Sequence, residues 1–159
     1  TGLVGQCIEK FFVFNGKGRN GKGLLNEFMQ HCLGDYFANI SPAIFTENPK
    51  SKSASGANPE IAKIHKKRYV VFSEPSKDAP LYNDVIKKFT GGGELQARLL
   101  YSSNTKVVQH LTLVMECNKK PPFAETPDTD ADADRIVDIL FRSYFTSDKS
   151  KLDETMHTY

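Results

Sequence analysis

The sequence has little that would staple it or anchor it. Its three cysteines, Cys7, Cys32 and Cys117, are odd in number and far apart. None forms a C-x-x-C pair, which disfavours a disulfide framework or a zinc ribbon. The expectation is buried, reduced thiols in an intracellular protein. The four histidines, His31, His65, His110 and His157, match no metal-binding spacing. No apolar run reaches the roughly 18 residues a membrane helix needs. No sign of charge dominates: 21 basic against 19 acidic residues leave +2, so no global field demands nucleic acid or a membrane. There is no repeat and no low-complexity tract. Thr1-Gly2-Leu3 carries neither an initiator Met nor a signal-peptide pattern, which is expected of a piece of a longer chain.

What is present suits one folded domain. The chain has 159 residues, 39% hydrophobic and 25% charged, enough to bury a core without a staple. The near-neutral total conceals two opposed clusters. Residues 49–68 carry Lys50, Lys52, Lys63, Lys66, Lys67 and Arg68 against Glu60. Residues 124–138 carry Glu125, Asp128, Asp130, Asp132, Asp134 and Asp138 against Arg135. Both read as solvated loops or as surfaces that could face each other in an assembly. The aspartates do not form a calcium loop, because Ala133 and Ile139 stand where an EF-hand needs Gly and Glu.

Strand and helix signals alternate. Lys10–Asn15 and Tyr69–Ser73 are short apolar runs of buried-strand type, as are Leu111–Cys117 and Ile136–Phe145. From Lys22, the residues Leu24, Leu25, Phe28, Met29, Cys32 and Leu33 mark one helical face, closed by Gly34. Pro59–Lys67 and Leu81–Phe89 read as further helices, the latter with Ile86 and Phe89 inward and a glycine run, Gly91-Gly92-Gly93, after it. Ala97–Tyr101 and Lys106–His110 flank a polar turn and suggest a hairpin. This alternation predicts an α/β fold with a largely parallel sheet.

Gly16-Lys17-Gly18-Arg19-Asn20-Gly21-Lys22-Gly23 matches G-x-x-x-x-G-K. Glycines let backbone N–H groups wrap a phosphate, the following helix offers its positive end, and the lysine reaches the β- and γ-phosphates. A strand before the loop and an amphipathic helix after it are what this chemistry requires. Gly23 stands where the magnesium-binding Ser or Thr is usual. Two later strands end in polar residues, Ser73-Glu74 and Cys117-Asn118. Strand C-terminal edges are where α/β sheets bind ligands.

In this order the motifs resemble the superfamily 3 helicases, and among them the primase-helicase ATPases of large DNA viruses, phages and plasmids. G-K-G-R-N-G-K-G resembles Walker A and Y-V-V-F-S-E resembles Walker B. The stretch Lys87–Tyr101, K-K-F-T-G-G-G-E-L-Q-A-R-L-L-Y, is similar to motif B′. L-V-M-E-C-N with Pro121 resembles motif C, and Arg135–Phe141 resembles the arginine-finger segment. The resemblance implies a three-layer, AAA+-like P-loop NTPase with an inserted β-hairpin, its core over 1–145. Residues 146–159 would begin a truncated C-terminal segment. It implies ATP and Mg2+ as cofactors, bound by Gly16, Gly18, Asn20, Gly21, Lys22 and Gly23. Glu74 would polarise the attacking water and Asn118 would sense the γ-phosphate. Arg135 would reach a neighbour's site in a homo-hexamer, with Asp134 holding it in reserve. Ser73 and Glu74 would serve magnesium through water. Lys106 at the hairpin tip, with Arg98 and Lys87, would contact single-stranded DNA. The implied activity is NTP-driven movement along DNA during replication, in host cytoplasm or at a replication site, with no membrane partner. A collar-less piece such as this is expected to be mostly monomeric.

Two other readings stay open at this point. A P-loop kinase or GTPase is one, since Asn118-Lys119-Lys120-Pro121 approximates N-K-x-D but has Pro for the Asp. The other is a nucleotide-independent nucleic-acid-binding module that has lost hydrolysis, which Gly23 favours.

Overall fold

The computed structural model describes residues 5–49, 59–76, 79–97, 105–125, 130–153 and 158. Five strands form one all-parallel sheet in the order β2-β3-β6-β1-β7: β1 Phe11–Asn15, β2 Phe37–Asn39, β3 Tyr69–Ser73, β6 Thr112–Cys117 and β7 Ile136–Leu140. The central strands are apolar on both faces because both faces are covered. A separate antiparallel hairpin pairs β4 Glu94–Ala97 with β5 Thr105–Val108. It is inserted between α4, Asn83–Thr90, and β6. The α/β architecture and the presence of an inserted hairpin are thus as the sequence predicts, but the first hairpin strand is Glu94–Ala97, ahead of the expected Ala97–Tyr101, of which 98–101 lie outside the described residues.

One side of the sheet meets α4 and the short helix α2, Ala43–Thr46. Their contact is aromatic. Phe45 stacks on Phe72 at 4.2 Å and meets Phe89 edge-on at 5.0 Å. Phe45 and Phe72 are both fully buried, so truncating either to alanine costs about 3–5 kcal/mol. Val107 of the hairpin joins the same core, and so does Ile64, just after α3, Pro59–Lys63. On the other side α1, Lys22–Leu33, lays Leu33 and Met29 over Phe14, Val71 and Val114. Helices on both faces of a parallel sheet make the expected three layers.

Helix α1 is rotated from its expected setting. Its buried residues are Lys22, Asn26 and Leu33, whereas Leu24 and Phe28 are 71% and 60% exposed. Positions 22, 26, 29 and 33 are themselves a helical face. The hydrogen bonds of Lys22 and Asn26 select that face over the more apolar one. Cys32 is likewise exposed, and only Cys117 is buried as expected.

The acidic stretch is not simply a solvated loop. Asp130–Arg135 forms α5, and Asp132, 5% exposed, pairs with Lys87 at 2.8 Å. In the basic stretch, Lys63 pairs with Glu60 and Lys67 donates to the Asp35 carbonyl at 2.5 Å. Arg68 sits over the Tyr36 ring at 4.3 Å. Strand β2 and helix α2 have no counterpart in the sequence pattern, being three and four residues long.

Candidate nucleotide-binding site

The loop after β1 is built by its backbone. Gly16 has φ 137° and Gly21 has φ 89°, both costly for a side-chain-bearing residue. Gly16 is also tightly enclosed: a Cβ there would lie 2.5 Å from the Phe141 carbonyl oxygen. Asn20, 6% exposed, is the internal brace. Its Nδ2 donates to the Phe141 carbonyl at 3.3 Å, and its Oδ1 accepts from the Lys22 ammonium at 3.1 Å.

Lys22 is only 6% exposed. A buried ammonium needs oxygen partners to offset desolvation. The Gly16 carbonyl at 2.5 Å, the Lys17 carbonyl at 3.5 Å and the Asn118 Oδ1 at 3.5 Å provide them, besides Asn20. Helix α1 starts with no side-chain cap and no acidic residue in its first turn. Its positive end is therefore left for an anion.

The sheet brings the other residues to this edge. β6 lies between β1 and β3, with Asn15 level with Cys117 and Ser73 level with Glu116. Asn118 follows β6 and Glu74 follows β3 at adjacent strand ends. The Asn118 N–H donates to Glu74 Oε2 at 2.7 Å, so Lys22, Asn118 and Glu74 form one connected chain. Beside them, burial first and the Glu74 charge second push the Cys117 thiol up to about 11, which keeps it protonated and inert. Sequence reasoning missed Asp138. It accepts from Asn15 Nδ2 and pairs with Lys120 at 2.5 Å, tying β7 to the strand that carries the loop.

The oxygen donors beside the loop bear on magnesium. Position 23 offers no hydroxyl, and Ser73 is exposed at the end of β3. A cleft of about 200 Å³ beside the loop is lined by Gly23, Asn26, Ser73 and Glu116, among others. Carboxylate and hydroxyl oxygens next to a phosphate loop fit a hard cation that keeps most of its waters. Asn26 Nδ2 donates to Glu116 Oε2 at 2.6 Å, and the Tyr69 hydroxyl donates to Asn26 Oδ1 at 2.9 Å. Burial, and then the Glu116 charge, push the Tyr69 phenol up to about 12.

Other expected residues lie elsewhere. Arg135 precedes β7 at the opposite edge of the sheet. Its guanidinium donates to Thr90 Oγ1 at 3.2 Å and pairs with Glu9 at 3.3 Å. Glu9, rather than the expected Asp134, is its carboxylate partner. The Asp134 carbonyl accepts from Lys10 at 2.5 Å. Lys87 is engaged by Asp132, whose hydrogen bond raises the lysine's pKa. Lys106 is on β5, level with Gln96. Arg98 and residues 102–104 of the expected hairpin tip lie outside the described residues. Among the described residues no helix is long and apolar enough to cross a membrane.

A glycine-rich loop between the first strand and the first helix of this sheet, with polar strand ends around its lysine, defines a P-loop NTPase-like protein. The chain resembles the C-terminal region of NrS-1, with TM-score 0.68 at 16% identity, covering 96% of this chain and 34% of that one. That likeness shows the fold. No family model matches. The chain is 33% identical over 149 residues to the putative helicase L207/L206 of Acanthamoeba polyphaga mimivirus, covering 90% of this chain and 15% of the relative. It is 28% identical over 163 residues to primase D5 of fowlpox virus, covering 99% and 19%. It is 29% identical over 150 residues to the uncoating factor OPG117 of vaccinia virus, covering 91% and 18%. It thus spans less than a fifth of each of these relatives. The chain is thus similar in sequence to proteins named helicase and primase in large DNA viruses, in keeping with the resemblance its motifs carry, and its fold is that of a P-loop NTPase-like domain.

Proposed function

We propose that this chain is the ATP-hydrolysing core of a viral replication helicase, driving movement along single-stranded DNA. The observation that carries it is the Lys22–Asn118–Glu74 chain at the mouth of the phosphate loop. The Lys22 ammonium exchanges carbonyl partners for β- and γ-phosphate oxygens. Backbone N–H groups of the loop and the start of α1 complete the cradle, with Gly16, Gly18, Asn20, Gly21 and Gly23 allowing close approach. Glu74 orients and polarises the attacking water, and Asn118 links that carboxylate to the γ-phosphate end of the lysine. Magnesium, when bound with ATP, neutralises charge developing on the phosphates. Arg135, held by Thr90 and Glu9 in this chain, leaves those partners to reach a neighbour's site within a homo-hexamer of the full-length protein. Lys106, Arg98 and Lys87 track the DNA backbone without reading bases. The place of action is the replication site in the infected cell.

The test is ATP hydrolysis with and without single-stranded DNA. Lys22→Ala and Glu74→Gln should each lower the DNA-stimulated rate by at least about 100-fold. Undiminished hydrolysis in Lys22→Ala refutes the assignment. DNA binding with no turnover in the unmodified protein would favour the nucleotide-independent module.

A further inference from the structure

The oxygen donors around Gly23 are not the usual ones for a phosphate loop. The loop position that would carry a hydroxyl is glycine, and the strand-end position before Glu74 is Ser73, a neutral donor. Glu116 is level with Ser73 across the β3–β6 ladder, and in a parallel pair such residues share a face. That face is the one under α1, as Val71 and Val114 two residues earlier show. Gly23 and Asn26 are three residues apart on α1, hence neighbours above it. All four line the cleft of about 200 Å³.

The Glu116 carboxylate is aimed by its neighbours. The Tyr69 hydroxyl fixes the Asn26 amide by donating to its oxygen, so the Asn26 nitrogen is left to donate to Glu116 Oε2. Among the described residues nothing hydrogen-bonds the second carboxylate oxygen. One oxygen is thus tied back and the other is presented to the cleft.

We propose that Glu116 supplies the carboxylate that holds the nucleotide-associated divalent cation, directly or through a bound water, in place of the missing loop hydroxyl. This rests on the nucleotide-binding reading above. The cation stays close to the phosphates, but its protein anchor has moved from the loop to β6. Asn26 and Tyr69 are positioning residues for that anchor.

The test uses the whole chain and two readouts that need no turnover. Calorimetry gives ADP affinity in EDTA and in Mg2+, and Mn2+ paramagnetic resonance gives cation binding in the ADP complex. Glu116→Gln keeps an acceptor for Asn26, so its melting temperature and its ADP affinity in EDTA should match the unmodified protein. Its Mn2+ affinity in the ADP complex should fall about 10–100-fold. Adding Ser73→Asp to Glu116→Gln should recover most of that loss, since the two positions are side by side. Unchanged Mn2+ affinity in Glu116→Gln overturns the inference and leaves the nucleotide reading intact. Failure of the unmodified protein to bind ADP in either buffer refutes both.

Discussion

Replacing Gly16 by alanine separates what the loop requires of its backbone from what it requires of its side chains. The residue has φ 137°, and its new Cβ would lie 2.5 Å from the Phe141 carbonyl oxygen and 2.6 Å from Asn20 Nδ2. Neither obstacle yields easily. The Phe141 backbone is fixed by its N–H bond to the Asn15 carbonyl at 2.8 Å, and Asn20 is buried between Phe141 and Lys22. A strained φ contributes about 1–3 kcal/mol and the overpacking another 1–3 kcal/mol or so. The sum is about 2–6 kcal/mol, which in a chain this size lowers the melting temperature by on the order of 10 °C. Gly23→Ala is the matched control. Nothing lies within 4 Å of a Cβ there and the residue is helical, so alanine should stabilise by up to about 1 kcal/mol. Urea unfolding of both variants, with ADP titration of each, makes the comparison. Gly16→Ala should lose both stability and nucleotide affinity, and Gly23→Ala should keep its stability. Equal midpoints would refute the geometry assigned to the loop.

Stability should fall on the alkaline side. An unfolded chain releases the Tyr69 proton near pH 10 and the Cys117 proton near 9, whereas the folded chain holds them to about 12 and about 11. Unfolding between those values therefore releases protons, and each group removes about 2–3 kcal/mol across its window. Urea midpoints measured from pH 8 upward should decline from pH 9, and Tyr69→Phe should flatten the decline above about pH 10. Asn20→Ala should cost about 1–3 kcal/mol, because it strips partners from the buried Lys22 ammonium, and should weaken ADP binding; calorimetry alongside urea unfolding checks both.

The elements that were legible in the sequence are those whose signal is local. β1, the loop and α1 are consecutive, and Tyr69–Ser73 is found as read because a run buried on both faces needs no partner to be recognised. The hairpin is legible from its second strand, while its first strand lies nearer the glycine run than the apolar residues 97–101 suggest. What could not be read depends on register. Nothing in the order of residues says that Ser73 and Glu116 stand level on neighbouring strands, so Glu116 passed as an ordinary strand residue. The available signal was alternation: Val71 and Ser73 share a face, as do Val114 and Glu116. Apolar count alone favours a setting of α1 with Leu24 and Phe28 inward, while the hydrogen bonds of Lys22 and Asn26 turn these two residues inward instead. Asp132 looked solvated because its partner, Lys87, is far away in the chain. Of the expected site, Lys22, Glu74 and Asn118 share one edge, and Arg135 stands at the other with Glu9 and Thr90.

The place of β1 in the sheet bears on how the chain acquires its site. β1 is flanked by β6 and β7, whose residues follow it by roughly a hundred positions or more. During synthesis from the N-terminus, the strand that carries the phosphate loop gains its first neighbour only after residue 117 has emerged and its second only after residue 140. Such long-range pairing is slow, because loop-closure entropy is lost before contacts reward it. A chain that stops short of β7 therefore holds the loop sequence but lacks one of the two strands that flank β1. The same dependence makes β7 a lever: loosening its Asp138 ties to Asn15 and Lys120 would act on the loop from the far side of its own strand.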